Sequence, residues 1–246
     1  MDKFLYISMT GAKEALDAQR LRANNLANVS TSGFKADFHQ YRTMAVFGDH
    51  FPSRAYAMSE RPGTDKSEGV YMETARDLDL AIKGKGWFAV QMPDGSEAYT
   101  RAGDFQLSAF GELLTGGGLP VLGNAGPIAI PPNQKIEIGS DGTISVREQG
   151  QGAESITAFE RIRLVNPAIA DLQKGGDGLF RRTDGNIAIA EGSVKVQSGF
   201  LEASNVNVVD SMVNMISLSR NYEMNIKMIK SAEENSETSA QLLQVR

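Results

Sequence analysis

The sequence contains no cysteine. That absence excludes thiolate catalysis, thiolate-ligated zinc and disulfide staples together. It fits a cytosolic protein, and it equally suits a chain that works in an oxidising place and avoids stray cross-links. Histidine is almost as scarce: His39 and His50 are the only two, and neither stands in a metal-ligand spacing, so no metal is expected. No apolar run approaches the roughly 18 residues of a membrane-spanning helix, so no membrane insertion is expected. The start of the chain also lacks the basic and apolar segments of a cleaved secretory signal. Clustered lysine or arginine is missing too, and the net charge is -5, which argues against a nucleic-acid partner. No GxSxG, GxGxxG or phosphate-loop spacing is present, so no cofactor is expected.

What is present is a globular composition, 41% hydrophobic and 22% charged over 246 residues. At the N-terminal end Leu5, Met9, Ala12, Leu16, Ala23 and Leu26 follow steps of three and four. This predicts a helix with a narrow, alanine-rich seam that needs partner helices. The same pattern returns at the other end through Val208, Met212, Met215, Tyr222, Ile226 and Ile229, fades through a polar stretch, and resumes at Leu242 and Leu243. Between the ends the period changes from 3.6 to 2. Short alternating runs, such as 87–92, 135–139, 143–147 and 187–190, are punctuated by Asp94-Gly95, Asp141-Gly142 and Asp184-Gly185, which predicts antiparallel strands.

The expected architecture is α+β. The N- and C-terminal helices pair as a coiled-coil-like inner domain (1–35 and 201–246), an extended connector covers 36–76, and an inserted antiparallel β-rich outer domain covers 77–200. The paired carboxylates Asp77/Asp79 and Glu233/Glu234 are the nearest approach to an acid–base site. A cell-wall glycan enzyme is therefore the alternative from another functional class, although nothing else marks a cleft.

The phrase "NNLANVSTSGFK" sets three amides at the end of the first helix. Asn24, Asn25 and Asn28, beside Leu26 and Ala27, can satisfy carbonyls or amides left unpaired there, and asparagine tolerates a left-handed cap. Gly33 permits a sharp turn, and Phe34 offers an anchor for the connector.

Three phrases together, "ANNLANVSTSGFK", "YTRAGDFQLSAFGELLT" and "GFLEASNVNVVDSMVNMISLSRNYEMNIKMI", resemble the bacterial flagellar rod and hook family of axial proteins, in the same order and over nearly the whole chain. Within that family, the opening "MDKFLYISMTGA", the segment "GPIAIPPNQKIEIGSDGTISV" and the ending "AEENSETSAQLL" are more similar to proximal-rod members than to distal-rod or hook members. The resemblance implies a structural subunit with no enzyme activity or cofactor. It further implies export by the flagellar type III apparatus without a cleaved signal, and a place in the rod that crosses the periplasm. Its partners would be other rod proteins, both proximal neighbours and the distal rod protein, and copies of itself.

Overall fold

The computed structural model describes residues 3–46, 55–131, 133–148 and 157–244. The chain forms two compact units, one from the described parts of 1–28, 36–65 and 206–246, the other from 29–35 and 66–205.

The first unit begins with helix α1 (Lys3–Ala27), continues with strands β1 (Asp37–Ala45) and β2 (Ala55–Thr64), and ends with helix α2 (Val208–Gln244). The two helices pack on each other, and the hairpin of β1 and β2 lies against α1. No helix among the described residues is long and apolar enough to cross a membrane.

The second unit contains strands β3 (Tyr71–Glu73), β4 (Leu80–Lys83), β5 (Trp87–Gln91), β6 (Glu97–Thr100), β7 (Phe105–Leu107), β8 (Leu113–Thr115) and β9 (Asn133–Ile138). It continues through β10 (Thr143–Glu148), β11 (Thr157–Arg161), β12 (Leu164–Val165), β13 (Leu172–Lys174), β14 (Phe180–Arg182), β15 (Lys195–Ser198) and β16 (Phe200–Glu202). A five-stranded sheet runs β12-β5-β6-β14-β13 and a three-stranded one β11-β10-β9; β15 pairs with β4, β16 with β3 and β7 with β8. Every pairing is antiparallel. The fold class is therefore the expected α+β.

Turn chemistry sets the register of these strands. Between β9 and β10, Gly142 sits at φ +84°, and the Asp141 carboxylate accepts the Thr143 backbone N–H at 3.1 Å and its hydroxyl at 2.8 Å. Those bonds hold the Asp141 carboxyl below the usual carboxylate range, the hydroxyl contributing most. The core is built from the inward positions the alternation marks, among them Leu80, Ile82, Phe88, Phe105, Ile144 and Val146. A second cluster sets Trp87 against Phe180, with ring centroids 4.4 Å apart, beside Tyr99 and Val165.

Two expectations are corrected. The segment expected as an extended connector over 36–76 contains the β1–β2 hairpin. Its pattern misleads because little of β1 is buried and because Pro62, which cannot donate to a ladder, stands opposite His39 where the register shifts. The run 187–190 alternates like a strand but forms none, and only Ala190 bridges to Val165. Its isoleucines face out, Ile187 and Ile189 being exposed while Ala188 is buried.

Ala188 is held by its backbone N–H, which donates to the Tyr99 phenol oxygen at 2.8 Å. Burial, ahead of the neighbouring Glu97 charge, pushes the Tyr99 hydroxyl up from 10 to about 12. A group whose folded pKa is raised stabilises the fold fully below its unfolded value and loses that contribution as pH climbs to the folded value. Tyr99 should therefore remove about 2–3 kcal/mol between pH 10 and about 12. We predict that Tyr99→Phe flattens this alkaline loss while lowering neutral stability by about 1 kcal/mol through the lost hydrogen bond. Chemical unfolding across that pH range, with tyrosinate absorbance followed in parallel, checks both; an unchanged alkaline slope refutes the assignment.

Candidate assembly surface and its anchoring

Small residues make the inner face of α1: Ser8, Ala12, Ala15, Ala18 and Asn25 are its buried positions. Gly11 lies so close to α2 that a β-carbon there would come within 2.8 Å of the Asn225 amide oxygen. On α2 the least exposed positions include Val208, Ser211, Met215, Leu218, Tyr222, Asn225, Ile229 and Ala232, which alternate in steps of three and four as a heptad seam does. Half of the expected C-terminal seam, Val208, Met215, Tyr222 and Ile229, lies on this face, with Ile226 half-buried beside it.

Other expected seam residues lie elsewhere. Met9, Leu16, Ala23, Met212 and Leu242 are exposed, while Leu5 and Leu26 are half-buried and Ala12 is buried. The Leu243 side chain falls outside the described residues. The physical reason is size: close approach of the helices selects serine, glycine and alanine on the α1 face, which leaves Met9 and Leu16 outside, and α2 likewise keeps part of its large apolar residues off the interface. On α2 these form an outward stripe of Val209, Met212, Val213 and Ile216, each about half exposed or more. Contiguous exposed apolar surface of this kind marks an interaction face.

The amides at the end of α1 have separate tasks. Asn25 is buried, and its amide pairs with the first residue of β1 in both directions: Nδ2 donates to the Asp37 carbonyl at 2.7 Å and Oδ1 accepts the Asp37 N–H at 3.0 Å. Asn28 Nδ2 donates to the Asn24 carbonyl at 2.9 Å, and the Asn28 N–H also turns back to that carbonyl. No asparagine takes the left-handed conformation among the described residues, so that expected role is corrected. It falls to Gly33, at φ +65°, where a side chain would run into the Arg101–Ala102 peptide. The exposed Asn24 and Ala27 add no buried contact. The Phe34 ring is covered by the Lys174 ammonium, 3.9 Å from its centroid.

Beside Phe34 lies a buried cluster that the residue patterns did not reveal. Glu202 is fully buried between two cations: Lys35 Nζ is 2.5 Å from Oε1 and an Arg101 guanidinium nitrogen 2.9 Å from Oε2. Gly69 N–H donates to the same Oε1 at 3.0 Å. The cations also donate to carbonyls, Lys35 to Ser67 and Arg101 to Ile82 and Gly84, while Arg101 Nε is buried without a partner among the described residues. Burial pulls the Lys35 ammonium below its usual range, and the bond to Glu202 opposes that shift. The only signal was indirect: each of the three family phrases contributes one member, Lys35 from the first, Arg101 from the second and Glu202 from the third.

The acid–base reading finds no geometry. Asp77 is exposed whereas Asp79 is buried, with Arg76 3.6 Å away, and Glu233 and Glu234 both face solvent. No group of three or more metal-ligating side chains occurs among the described residues. His50 lies outside them.

Three family profiles match the chain. Residues 5–35 match "Flagella basal body rod protein", 81–146 match "Flagellar hook protein FlgE/F/G D1 domain" and 197–242 match "Flagellar basal body rod FlgEFG protein C-terminal". The flagellar basal-body rod protein FlgF of Escherichia coli is 41% identical over 249 residues, covering 99% of each chain. FlgF of Salmonella typhimurium is 39% identical with the same coverage. The rod protein FlgG of Buchnera aphidicola from Schizaphis graminum is 39% identical over 265 residues, covering 97% of this chain and 98% of the relative.

Removing one member of a buried charge cluster costs about 3–5 kcal/mol when a partner is left uncompensated. Glu202→Gln strands two cations and should fall in that range. Lys35→Met leaves Glu202 still held by Arg101 and Gly69, so its loss should be the smaller. Urea unfolding of the two variants gives the order, and a reversed order would count against Glu202 as the centre of the cluster.

Proposed function

Because the chain belongs to the family of flagellar basal-body rod proteins, we propose that it serves as a proximal-rod subunit whose terminal helices build a helical tube that carries motor torque across the periplasm. It is a structural subunit of the rod, similar to FlgF along its full length. The observation that carries the proximal reading is the FlgF match over 249 aligned positions against 265 for FlgG, since this chain has 246 residues. The distal-rod and hook alternatives, and the glycan enzyme, are disfavoured accordingly.

The assembly reading rests on the helices. Large apolar residues stand outside the α1–α2 pair, on Met9 and Leu16 of one helix and Met212, Val213 and Ile216 of the other. Each that becomes fully buried against a neighbouring subunit contributes on the order of 1.5–3 kcal/mol. Its partners in this reading are other rod proteins, proximal and distal, together with copies of itself. Delivery is by the flagellar type III export apparatus without a cleaved signal. The chain acts by packing rather than by catalysis, without cofactor or membrane insertion.

Ile216→Asp, at a position 56% exposed in the single chain, should leave the fold and thermal stability of the monomer within about 0.5 kcal/mol of the original yet abolish rod assembly and swimming. Normal basal bodies in electron micrographs of that variant would remove the outer stripe from the assembly surface. Hydrogen exchange on the purified monomer should be fast at both terminal helices and slow in β5 and β6, because a helix pair closed by small residues is weakly held alone. Equal protection in the two regions would contradict this.

A further inference from the structure

Within the helical unit, α1, α2 and β1 enclose an open groove of about 370 Å³ whose walls include Gly11, Glu14, Tyr41, Asn221, Met224 and Met228. Glu14 Oε2 is buried there without a hydrogen-bond partner among the described residues. An unmet carboxylate oxygen in a largely apolar groove calls for a cationic donor from outside. Glu14 also adds to the burial that raises the Tyr41 phenol, so its charge is felt across the groove.

The outward face of α2 supplies a matching element. Val209, Val213 and Ile216 are 68%, 57% and 56% exposed, and Arg220, also exposed, continues the same face at steps of four, three and four. At 1.5 Å per residue this stripe runs about 16 Å, and the α2 wall of the groove, 218–228, runs about 15 Å. Stripe and groove are different surfaces of one chain. A stripe seated in a second copy's groove therefore leaves a free groove and a free stripe at the two ends, which is the contact type that propagates into a helical array.

We infer that the 209–220 stripe of one copy docks in the Glu14 groove of the next, with Arg220 meeting Glu14 and Val213 lying over Met228. This rests on the rod-subunit reading and specifies which surfaces join like copies. Val213 lies seven residues, about two helical turns, from Arg220 along the stripe, and Glu14 and Met228 both line the groove.

The absence of cysteine makes the test direct. Val213→Cys/Met228→Cys places the thiols fifteen residues apart on one helix, about 22 Å, too far for a bond within a chain. In cells, oxidised basal bodies carrying this full-length variant should yield disulfide-linked dimers and larger ladders, and either single-cysteine variant should yield dimers at most through its own thiol, without ladders. Basal bodies that contain the variant yet give no ladder overturn the inference. In parallel, Glu14→Arg and Arg220→Glu should each lower incorporation into rods by about tenfold or more, and the doubly reversed chain should recover it. Co-expressing the two single variants should also recover it, because each then offers the other a complementary surface. Single variants that incorporate normally, or single defects that neither combination repairs, overturn the pairing; the latter result assigns the groove to a different rod protein. The outcome for Ile216→Asp keeps the two levels apart: assembly of that variant sinks the outer-stripe reading itself, whereas its failure alongside unaffected charge variants sinks only the Glu14–Arg220 docking.

Discussion

A single carboxylate, Glu202, is the point on which the closure of the β-rich unit depends. It is fully buried, and it is shared by Lys35 and Arg101, whose positions lie 167 and 101 residues away along the chain. Taking three charges out of water is expensive, and such a cluster is weak evidence of net stability. Its geometry nevertheless gives each charge fixed partners: Lys35 also donates to the Ser67 carbonyl and Arg101 to the Ile82 and Gly84 carbonyls, with Arg101 Nε alone buried and unpaired among the described donors of the cluster. Apolar side chains could fill the same space in several ways. The cluster therefore specifies where the 29–35 and 200–205 segments, which border the two helices in sequence, enter the unit.

Backbone bonds depend on that placement. The Gly33 N–H donates to the Glu202 carbonyl at 2.7 Å, and the Asn205 N–H to the Phe34 carbonyl at 3.3 Å. Lys174 adds a bond to the Lys35 carbonyl at 2.7 Å while its ammonium covers the Phe34 ring. Gly33 can come this close to Arg101 only because it has no side chain and accepts a positive φ. Replacing any one of these groups disturbs the others, so the phrase that closes α1 is fixed by contacts made far away in sequence.

How much of this was legible in the sequence depends on the range of the interaction. The strands from β4 to β6 and from β9 to β10 were visible, because alternation and Asp-Gly turns are local signals. Both helices were visible for the same reason. The phase of the helical seam was not: stepping from large apolar residues selected Met9 and Leu16, whereas packing selected Ala15 and Ala18. Periodicity reports that a face exists, but the distance between helices decides which face turns inward. The β1–β2 hairpin was hidden because its exposed apolar residues, Phe38, Tyr41, Met44 and Met58, carry no alternation of burial. The buried charges were invisible to local patterns altogether, since lysine, arginine and glutamate normally mark a solvated surface.

The two units are stabilised by different means, and that difference bears on function. The β-rich unit buries phenylalanine, isoleucine, leucine and valine in its own core. The helix pair fully buries mainly alanine and serine and leaves Met9, Met212, Val213, Ile216, Met224 and Met228 exposed. An alanine removes little apolar area from water, so the helix pair gains only a small part of the hydrophobic energy its sequence contains. The remainder is released only when other surfaces cover the outer stripe. By mass action, anything that binds the ordered helices and not the disordered ones stabilises them. In the proposed reading, order in the terminal helices is thereby linked to joining the rod, while the β-rich unit is held by its own core.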